Sequence, residues 1–361
     1  MLEQHNFYTP ILQWKRGEQK ALEYLNESIK EKILPLIEIV PVPWDYDNDT
    51  PAKILDKHLE NIGDSLQKSL APNNILFLDL NFLDENKNLQ NGQNPLTYII
   101  NEAKKKALKV IPVTGLNRDS NYQNEVNNAY LTDKLGICLR IVDDDLLDID
   151  INVKNFLSNI NIKPSDIYLM LDLKYVSPNE EKKNIISTIN IINSLPYLGE
   201  WKEIILSATS FPENLSLVQS NSVEYIARSE WNIWKYIYDH KNKIKRMPWY
   251  SDYAISNPGL LEIDPRIMMM SANIRYTAED NFVIVKGTNV KKNGWGQIHD
   301  LCKALINMKE YAGQNFSWGD EYIYQCASGS ANTGNAEIWR RIGTNHHISF
   351  VVNQLSNLIC F

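Results

Sequence analysis

The sequence predicts an α/β protein, a (β/α)8 TIM-like barrel with a C-terminal α+β extension. Eight short apolar segments recur over the first 230 residues, and segments of helical character lie between most of them. Strands that alternate with helices are typical of a parallel sheet, and eight such units close a barrel. Nearly all of the apolar segments end in a charged or hydroxyl side chain. Barrels of this type carry their chemistry at the C-terminal ends of the strands, so these side chains are the candidate site.

The length of the chain indicates a second structural unit. Its 361 residues exceed the roughly 250 residues that one hydrophobic core usually organises. We expect the barrel to occupy residues 1–246 and the extension to occupy residues 247–361. The extension is rich in tryptophan, which indicates that it packs on the barrel rather than moving independently.

The predicted strands are short and rich in branched apolar residues. They cover residues 9–15, 34–40, 75–81, 108–114, 136–142, 167–174, 203–209 and 223–230. A first helix follows the first strand, where apolar residues recur at helical spacing over 21–29. A second helix is expected to begin with Thr50 as its N-cap and Pro51 at its first position. In the extension, residues 272–287 predict a hairpin that turns at 279–281, and two further helices follow it.

The composition argues against several classes of protein. The net charge of -7 gives no basic field to hold a nucleic-acid backbone, so a nucleic-acid partner is not expected. No segment reaches the roughly 18 apolar residues that cross a bilayer, so no membrane association is expected. The cysteines lie far apart and form no CxxC pair, which fits free thiols in a reducing cytoplasm. They are Cys138, Cys302, Cys326 and Cys360. We therefore expect a cytoplasmic protein.

A ring of polar side chains is predicted at one mouth of the barrel. Side chains alternate between the two faces of a strand, so the parity of each segment indicates which residues point inward. In the third and sixth strands, every second residue is a leucine that would contact the helices, and the intervening residues point into the barrel. The same reasoning applied to the other strands completes the ring. Its members are Lys15 or alternatively Gln13, Glu38, Asp79, Asn81, Thr114, Arg140, Asp172, Lys174, Ser207 with Thr209, Arg228 and Glu230.

Carboxylates in this ring suit two kinds of chemistry. Asp172 lies two residues before Lys174, and a carboxylate beside a lysine suits acid/base catalysis. Glu38, Asp79 and Asp172 suit a divalent cation, which leaves Mg2+ open as a cofactor. Asp172 and Lys174 are therefore the candidate catalytic residues, and the other members of the ring are candidate ligand-binding residues.

Two further roles of the ring remain open. Arg140 and Arg228 suit a phosphate group, although the loops after the seventh and eighth strands lack the glycines of the usual barrel phosphate site. Alternatively, charges that are half-buried at a barrel end must pair with one another, so the ring could simply neutralise itself.

Motifs elsewhere in the chain add little chemistry. His346 and His347 are adjacent on a predicted helix, where neighbouring side chains point about 100° apart, so they are poorly placed to ligate one metal. We expect one of these histidines to be buried and the other to lie at the surface. The sequence contains no Gly-x-Ser-x-Gly nucleophile motif, which disfavours hydrolysis of that type.

Two blocks, one near each end of the chain, carry a family resemblance. The first is FYTPILQWKRGEQKAL with LPLIEIVP, and it contains Pro-x-x-x-x-Lys-x-x-Glu over residues 10–18. The second is AEIWRRIGTNHHISFVVNQL, and it contains Trp-Arg-x-x-Gly-Thr-x-His-His over residues 339–347. Together they resemble the beta family proteins carried by phages, phage satellites and prophages. In one satellite cluster such a gene accompanies a toxic gene within a defence system. The resemblance implies a role in defence against phage or in restraint of a toxic partner, and it implies no catalytic residue.

Three functional hypotheses follow from the sequence. The first is a component of a phage-related antiviral defence or toxin-restraint module. In that role the chain would bind a small ligand, with a phosphorylated compound left open, or a protein partner from the same gene cluster. The second is a barrel enzyme that uses the strand-end carboxylates and lysine for acid/base or metal-assisted chemistry. The third is a non-catalytic interaction protein whose charge ring is structural.

Overall fold

Eight parallel strands close into a barrel in the computed structural model, which describes residues 8–70, 74–85, 87–146, 148–260, 264, 266, 267 and 269–359. The strands of the described residues, inside and outside the barrel, are β1 (Thr9–Gln13), β2 (Leu36–Glu38), β3 (Trp44–Asp45), β4 (Thr50–Pro51), β5 (Ile75–Asp79), β6 (Lys109–Thr114), β7 (Ile137–Val142), β8 (Ile167–Tyr175), β9 (Glu203–Thr209), β10 (Ser222–Ala227), β11 (Trp249–Asp252), β12 (Ser271–Thr277) and β13 (Asn281–Asn289). The eight barrel strands follow the order β1, β11, β9, β8, β7, β6, β5, β2. The predicted fold class is confirmed.

Helices cover the outside of the barrel and form part of the extension. They are α1 (Arg16–Glu23), α2 (Glu27–Lys30), α3 (Leu55–Leu59), α4 (Ile62–Ser69), α5 (Pro95–Lys105), α6 (Ser120–Asp133), α7 (Ile149–Asn159), α8 (Glu181–Ser194), α9 (Ser229–Asp239), α10 (Val290–Asn293), α11 (Ile298–Ile306), α12 (Trp318–Ser328) and α13 (Ala336–Ile359). In the described part of the chain, no helix is both long enough and apolar enough to span a bilayer.

The predicted inward and outward faces of β5 and β8 are confirmed. Phe77 of β5 and Met170 of β8 belong to a core inside the barrel, together with side chains from the neighbouring strands. Leu78 and Leu171, one position further along each strand, pack instead in the cluster between the strands and the helices. Because every second residue points inward, the polar residues at the strand ends gather at one mouth.

The prediction of the eighth barrel strand was wrong. Residues 223–230 overlap β10, which pairs antiparallel with β13 in a separate sheet of order β10, β13, β12. The barrel is closed instead by β11, which lies between β9 and β1. A parallel barrel strand is covered on both faces. β11 meets this condition at three of its four residues, whereas β10 is half-buried or exposed throughout. The barrel thus takes in residues beyond position 246, and the division into two domains stays a prediction.

The extension is joined to the barrel by α13. The hairpin predicted around residues 279–281 is confirmed as β12 and β13, which pack with α11 and α12 over a core of their own. Near its start, α13 contributes Trp339 and Ile342 to that core. Near its end, it contributes Ile348 and Val351 to the main cluster of the barrel. One continuous helix therefore belongs to both hydrophobic cores.

Two smaller predictions have different outcomes. The prediction of a helix that begins at Thr50 and Pro51 was wrong, because these residues form β4. This strand pairs with β3 in a short antiparallel hairpin. The helical segment begins later, at Leu55. The expectation of free thiols is confirmed for Cys138, Cys302 and Cys326, which are all buried. Cys360 lies outside the described residues.

Candidate functional site

Arg140 is the centre of the barrel mouth. Its Nη1 donates to Glu38 Oε1 at 2.8 Å and to Asp79 Oδ2 at 2.7 Å, and its Nε donates to Asp172 Oδ2 at 2.9 Å. Its Nη2 donates to the hydroxyl of Tyr253 at 2.7 Å. These groups come from β2, β5, β7, β8 and the residue after β11, so closure of the barrel is what brings them together. One guanidinium is thus bound by three carboxylates and a phenol.

Two further cations balance the carboxylates around Arg140. Lys174 Nζ lies 2.9 Å from Asp172 Oδ2 and donates to the Tyr253 hydroxyl at 3.2 Å. That hydroxyl in turn donates to Asp172 Oδ2 at 2.6 Å. On the other side, Arg118 forms an ion pair with Asp79 and a second one with Glu85 at 2.7 Å. The core of the mouth is therefore a nearly neutral network of paired charges, as buried charges require.

The pKa values of the carboxylates follow from this pairing. Burial alone would raise the pKa of Asp79, but the charges of Arg118 and Arg140 outweigh it and lower that pKa. The pKa of Asp172 is lowered in the same way, since Arg140 and Lys174 outweigh burial. For Glu38, burial prevails over Arg140 and raises the pKa. Asp79 and Asp172 are consequently ionised at neutral pH, while Glu38 is protonated more readily than an ordinary glutamate.

A cleft of about 330 Å3 opens beside this network. Asn81, Thr114, Arg118 and Lys174 line it together with the edge of the Arg140 network. Lys174 has a left-handed backbone, with a φ of 53°, at the point where the pairing of β8 with β9 shifts register. Its backbone N–H donates to Asp172 Oδ1 at 3.0 Å. Such a conformation costs on the order of 1 to 3 kcal/mol in a residue with a side chain, and it concentrates at functional sites.

The structure brings together most of the residues that the sequence predicted for the mouth. Glu38, Asp79, Arg140, Asp172 and Lys174 form the network. Asn81 and Thr114 line the cleft. Ser207 lies opposite Asp172 in the register of β8 and β9, and its hydroxyl is buried with no hydrogen-bond partner in the described part of the chain. Lys15 lies to one side, where its ammonium contacts Gln13 Oε1 at 2.9 Å.

In the described part of the chain, Arg228 and Glu230 form no hydrogen bond or ion pair with the Arg140 network, which corrects the predicted ring. Arg228 Nη1 donates to the carbonyl of Glu279 at 2.9 Å and to Gln354 Oε1 at 2.8 Å. Glu230 Oε2 accepts hydrogen bonds from the backbone and the hydroxyl of Ser210. The physical reason is the misassigned eighth strand: both residues follow β10, which lies in the separate sheet. Buried there, they hold that sheet and α13 against the barrel.

The sequence reasoning missed Tyr253 and Arg118. Tyr253 directly follows β11, so it would have been found if Trp249–Asp252 had been identified as a strand. Arg118 lies four residues after the end of β6, in a loop of the kind from which barrels draw site residues. In both cases the signal that could have identified the residue was its position just after a strand, not a sequence motif.

The three carboxylates around Arg140 do not form a metal site. Among the described residues, no group of three or more His, Cys, Asp or Glu side chains is arranged to hold an ion. Glu38, Asp79 and Asp172 each bond to Arg140, so a guanidinium occupies the position that a cation would need. A bound Mg2+ would require oxygen ligands on all sides, and here at least one oxygen of each carboxylate already accepts a hydrogen bond from Arg140.

The adjacent histidines are both buried, so the prediction of one at the surface was wrong. His346 Nδ1 lies 2.8 Å from Asp320 Oδ2 of α12, and His347 Nε2 lies 3.0 Å from Asp252 Oδ2 of β11. Because the two rings point about 100° apart on α13, one reaches the extension and the other reaches the barrel. The pair therefore serves to join the two parts.

The comparisons with known proteins give a family. The model of the family described as Beta protein matches residues 8–353. The chain belongs to the beta protein family. The two terminal blocks that carry the family resemblance are in contact, since α1 packs along α13. No curated protein matches this family member. Among solved structures it is similar to a triosephosphate isomerase from Bartonella henselae, at 10% identity over 68% of this chain and 90% of that chain, with a TM-score of 0.34. The barrel itself is established by the order of its strands.

Proposed function

We propose that this beta family protein binds a small ligand at the mouth of its barrel and acts within a phage-related defence or toxin-restraint module. The observation that supports ligand binding is the exposure and backbone conformation of Lys174. The side chain of Lys174 is 30% exposed in a cleft whose other charged groups are largely buried. Its backbone is held in a left-handed conformation by Asp172. A strained backbone conformation that directs a cation into an open cleft is expected where a ligand is recognised.

Binding fits this geometry better than proton transfer. A general base works best when its pKa lies near the working pH. The pKa of Asp172 is lowered instead, because Arg140 and Lys174 outweigh the effect of burial. Asp172 therefore suits the role of an anchor that positions Lys174. The enzyme hypothesis, with Asp172 and Lys174 as an acid/base pair, is retained as an outcome of the experiment below.

The role in a module is supported by the family resemblance rather than by the site. Beta family proteins are carried by phages, phage satellites and prophages, and one such gene accompanies a toxic gene in a defence cluster. The proposed partner is a protein from the same gene cluster. Ligand binding at the mouth would let the chain sense a small molecule and change its affinity for that partner.

The experiment compares Lys174→Met with a matched lysine substitution elsewhere. Lys309, whose side chain is 90% exposed, gives Lys309→Met as the control. Each protein is purified from the native host, its bound small molecules and proteins are identified by mass spectrometry, and its protection against phage is measured. We expect Lys174→Met to keep its thermal stability, lose a bound small molecule and lose protection, while Lys309→Met resembles the wild type.

The alternatives give different results in the same experiment. If the wild type converts the molecule that it retains into a product, and Lys174→Met does not, the enzyme hypothesis is correct. If Lys174→Met keeps both its bound molecules and its protection, the proposal of a ligand at the mouth is wrong.

A further inference from the structure

A second pocket lies where the two terminal blocks of the family meet, and we call it the α1–α13 pocket. It has a volume of about 360 Å3 and is lined by the first turn of α1, the first turn of α13 and part of β12. The residues used below are Lys15, Glu18, Arg275, Trp295, Trp339 and Arg340. The described linings of this pocket and of the mouth cleft have no residue in common.

The α1–α13 pocket carries an excess of positive charge. Four basic side chains line it, namely those of Lys15, Arg16, Arg275 and Arg340, against the two carboxylates of Glu18 and Glu337, so the net charge is two positive. Glu337 is also bound by the guanidinium of a neighbouring arginine on α13, at 2.7 Å. The mouth network, in contrast, neutralises itself. A concave site with an uncompensated charge of two is suited to a dianion.

Two of these cations are held close together by the backbone. Arg275 Nη1 donates to the carbonyl of Ile255 at 3.1 Å, and Arg340 Nη1 donates to the same carbonyl at 3.2 Å. Arg340 Nη1 also donates to Ser256 Oγ at 2.6 Å. Burial lowers the pKa of Arg275 well below its ordinary value, and the charge of Arg340 lowers it further. Like charges fixed in this way repel each other, and an anion between them would relieve the repulsion.

Glu18 gives an independent indication that the pocket accepts a ligand. Its side chain is almost fully buried, and Arg340 Nε lies 3.7 Å from its Oε1. Its Oε2 is buried without a hydrogen-bond partner among the described residues. An unpaired buried oxygen costs free energy, and burial raises the pKa of this carboxyl. A hydroxyl of a bound ligand would be able to donate a hydrogen bond to this oxygen.

The helices and aromatic side chains complete the pocket. Both α1 and α13 begin at it, and the amino-terminal end of a helix attracts negative charge. The helices come this close because residue 17 is glycine: a Cβ there would lie 2.8 Å from Arg340 Cγ. Trp295 and Trp339 line the same space, and Trp339 is fixed by a hydrogen bond from its Nε1 to the carbonyl of Thr333. These rings would contact an apolar part of the ligand.

We infer that the α1–α13 pocket binds a small phosphate monoester, with the phosphate held by Lys15, Arg275 and Arg340 and the organic group against Trp295 and Trp339. The inference does not depend on the proposed ligand at the mouth, because the two sites are lined by different residues.

The test uses phenyl phosphate and inorganic phosphate as probes, with phenol as the uncharged control. Binding to the full chain is measured by 31P line broadening, by tryptophan fluorescence and by the shift in melting temperature. We expect phenyl phosphate to bind more tightly than inorganic phosphate, and phenol not to bind. Lys15→Gln and Arg340→Gln should each weaken phenyl phosphate binding about tenfold or more, since each removes a charge-assisted contact.

Two control variants show whether binding is specific to the α1–α13 pocket. Lys183→Gln and Lys309→Gln each remove one exposed lysine that lies outside both pocket linings, so both should keep wild-type affinity for phenyl phosphate. Lys15→Gln is the primary variant because Lys15 is not a core residue, and its melting temperature without ligand shows whether it folds. The inference is overturned if neither phosphate probe binds at millimolar concentration, or if Lys15→Gln and Arg340→Gln bind phenyl phosphate as the wild type does.

Discussion

Arg140→Met would remove the cation that three buried carboxylates share. The carboxylates of Glu38, Asp79 and Asp172 are each at most 1% exposed. Removing one partner of a buried ion pair typically costs about 3 to 5 kcal/mol, because the other charge is left buried without compensation. Asp79 would keep Arg118, and Asp172 would keep a lysine and a tyrosine, whereas Glu38 would lose its ion-pair partner. We therefore expect a loss of about 3 to 5 kcal/mol at neutral pH, located mainly at Glu38.

The dependence of this loss on pH tests its cause. Burial already raises the pKa of Glu38 above its ordinary value of 4.5, and removal of Arg140 would raise it further. A carboxyl whose pKa is higher in the folded state than in the unfolded state stabilises the fold at a pH below its unfolded-state pKa. This stabilisation is lost as the pH rises through the folded-state pKa. The destabilisation of Arg140→Met should therefore shrink as pH falls toward 4.5.

Urea denaturation at several pH values measures the effect. Glu38→Gln in the Arg140→Met background should recover part of the stability, because the uncompensated charge is then absent. Glu38→Gln alone is the control for the second substitution. A loss below about 1 kcal/mol, or one that does not change with pH, would refute the reasoning about the network.

Three further predictions concern single side chains. Burial raises the pKa of Glu230 to about 7, so the contribution of this carboxyl to the unfolding free energy should fall as pH rises from 4.5 to 7, by on the order of 2 kcal/mol. Glu230→Gln should flatten this dependence in denaturation curves, and an unchanged slope would contradict the assignment. Gly343→Ala places a Cβ 2.6 Å from the nearest described side-chain atom and should cost about 1 to 3 kcal/mol. Gly199→Ala, with no described atom within 4 Å, is its control, and equal melting temperatures would count against close packing there. Tyr253→Phe removes a hydroxyl from the mouth network and should cost about 1 to 3 kcal/mol, whereas Tyr175→Phe at an exposed position should be neutral in the same assay.

Much of the barrel could be predicted because its signals are local. Seven of the eight barrel strands, all except β11, overlap segments whose apolar residues are visible in the sequence. Alternation along β5 and β8 also predicted which residues point inward, so Asp79 and Asp172 were correctly directed to the mouth. These features depend on short-range periodicity, which a single sequence contains in full.

The eighth strand could not be predicted in the same way. Trp249–Asp252 is short and half polar, and it resembles a loop when it is considered alone. Residues 223–230 have a more regular strand pattern, but they pair with β13 rather than with β9. Which segment fills the last gap in the barrel depends on pairing with β9 and β1, and neither is near β11 in sequence. The errors at Arg228 and Glu230, and the omission of Tyr253, all follow from this one choice.

Local sequence patterns were enough to establish the fold class, most of the strands, the inward direction of the mouth residues and the resemblance to the beta family. They could not establish which charges are paired and which are left over. At the mouth, Arg140 meets three carboxylates and is neutralised. In the α1–α13 pocket, Arg275 and Arg340 share one backbone carbonyl with too few carboxylates nearby. This difference arises because periodicity fixes the direction of a side chain, while the balance of charge around it depends on residues far apart in the chain that only the closed barrel and α13 bring into contact.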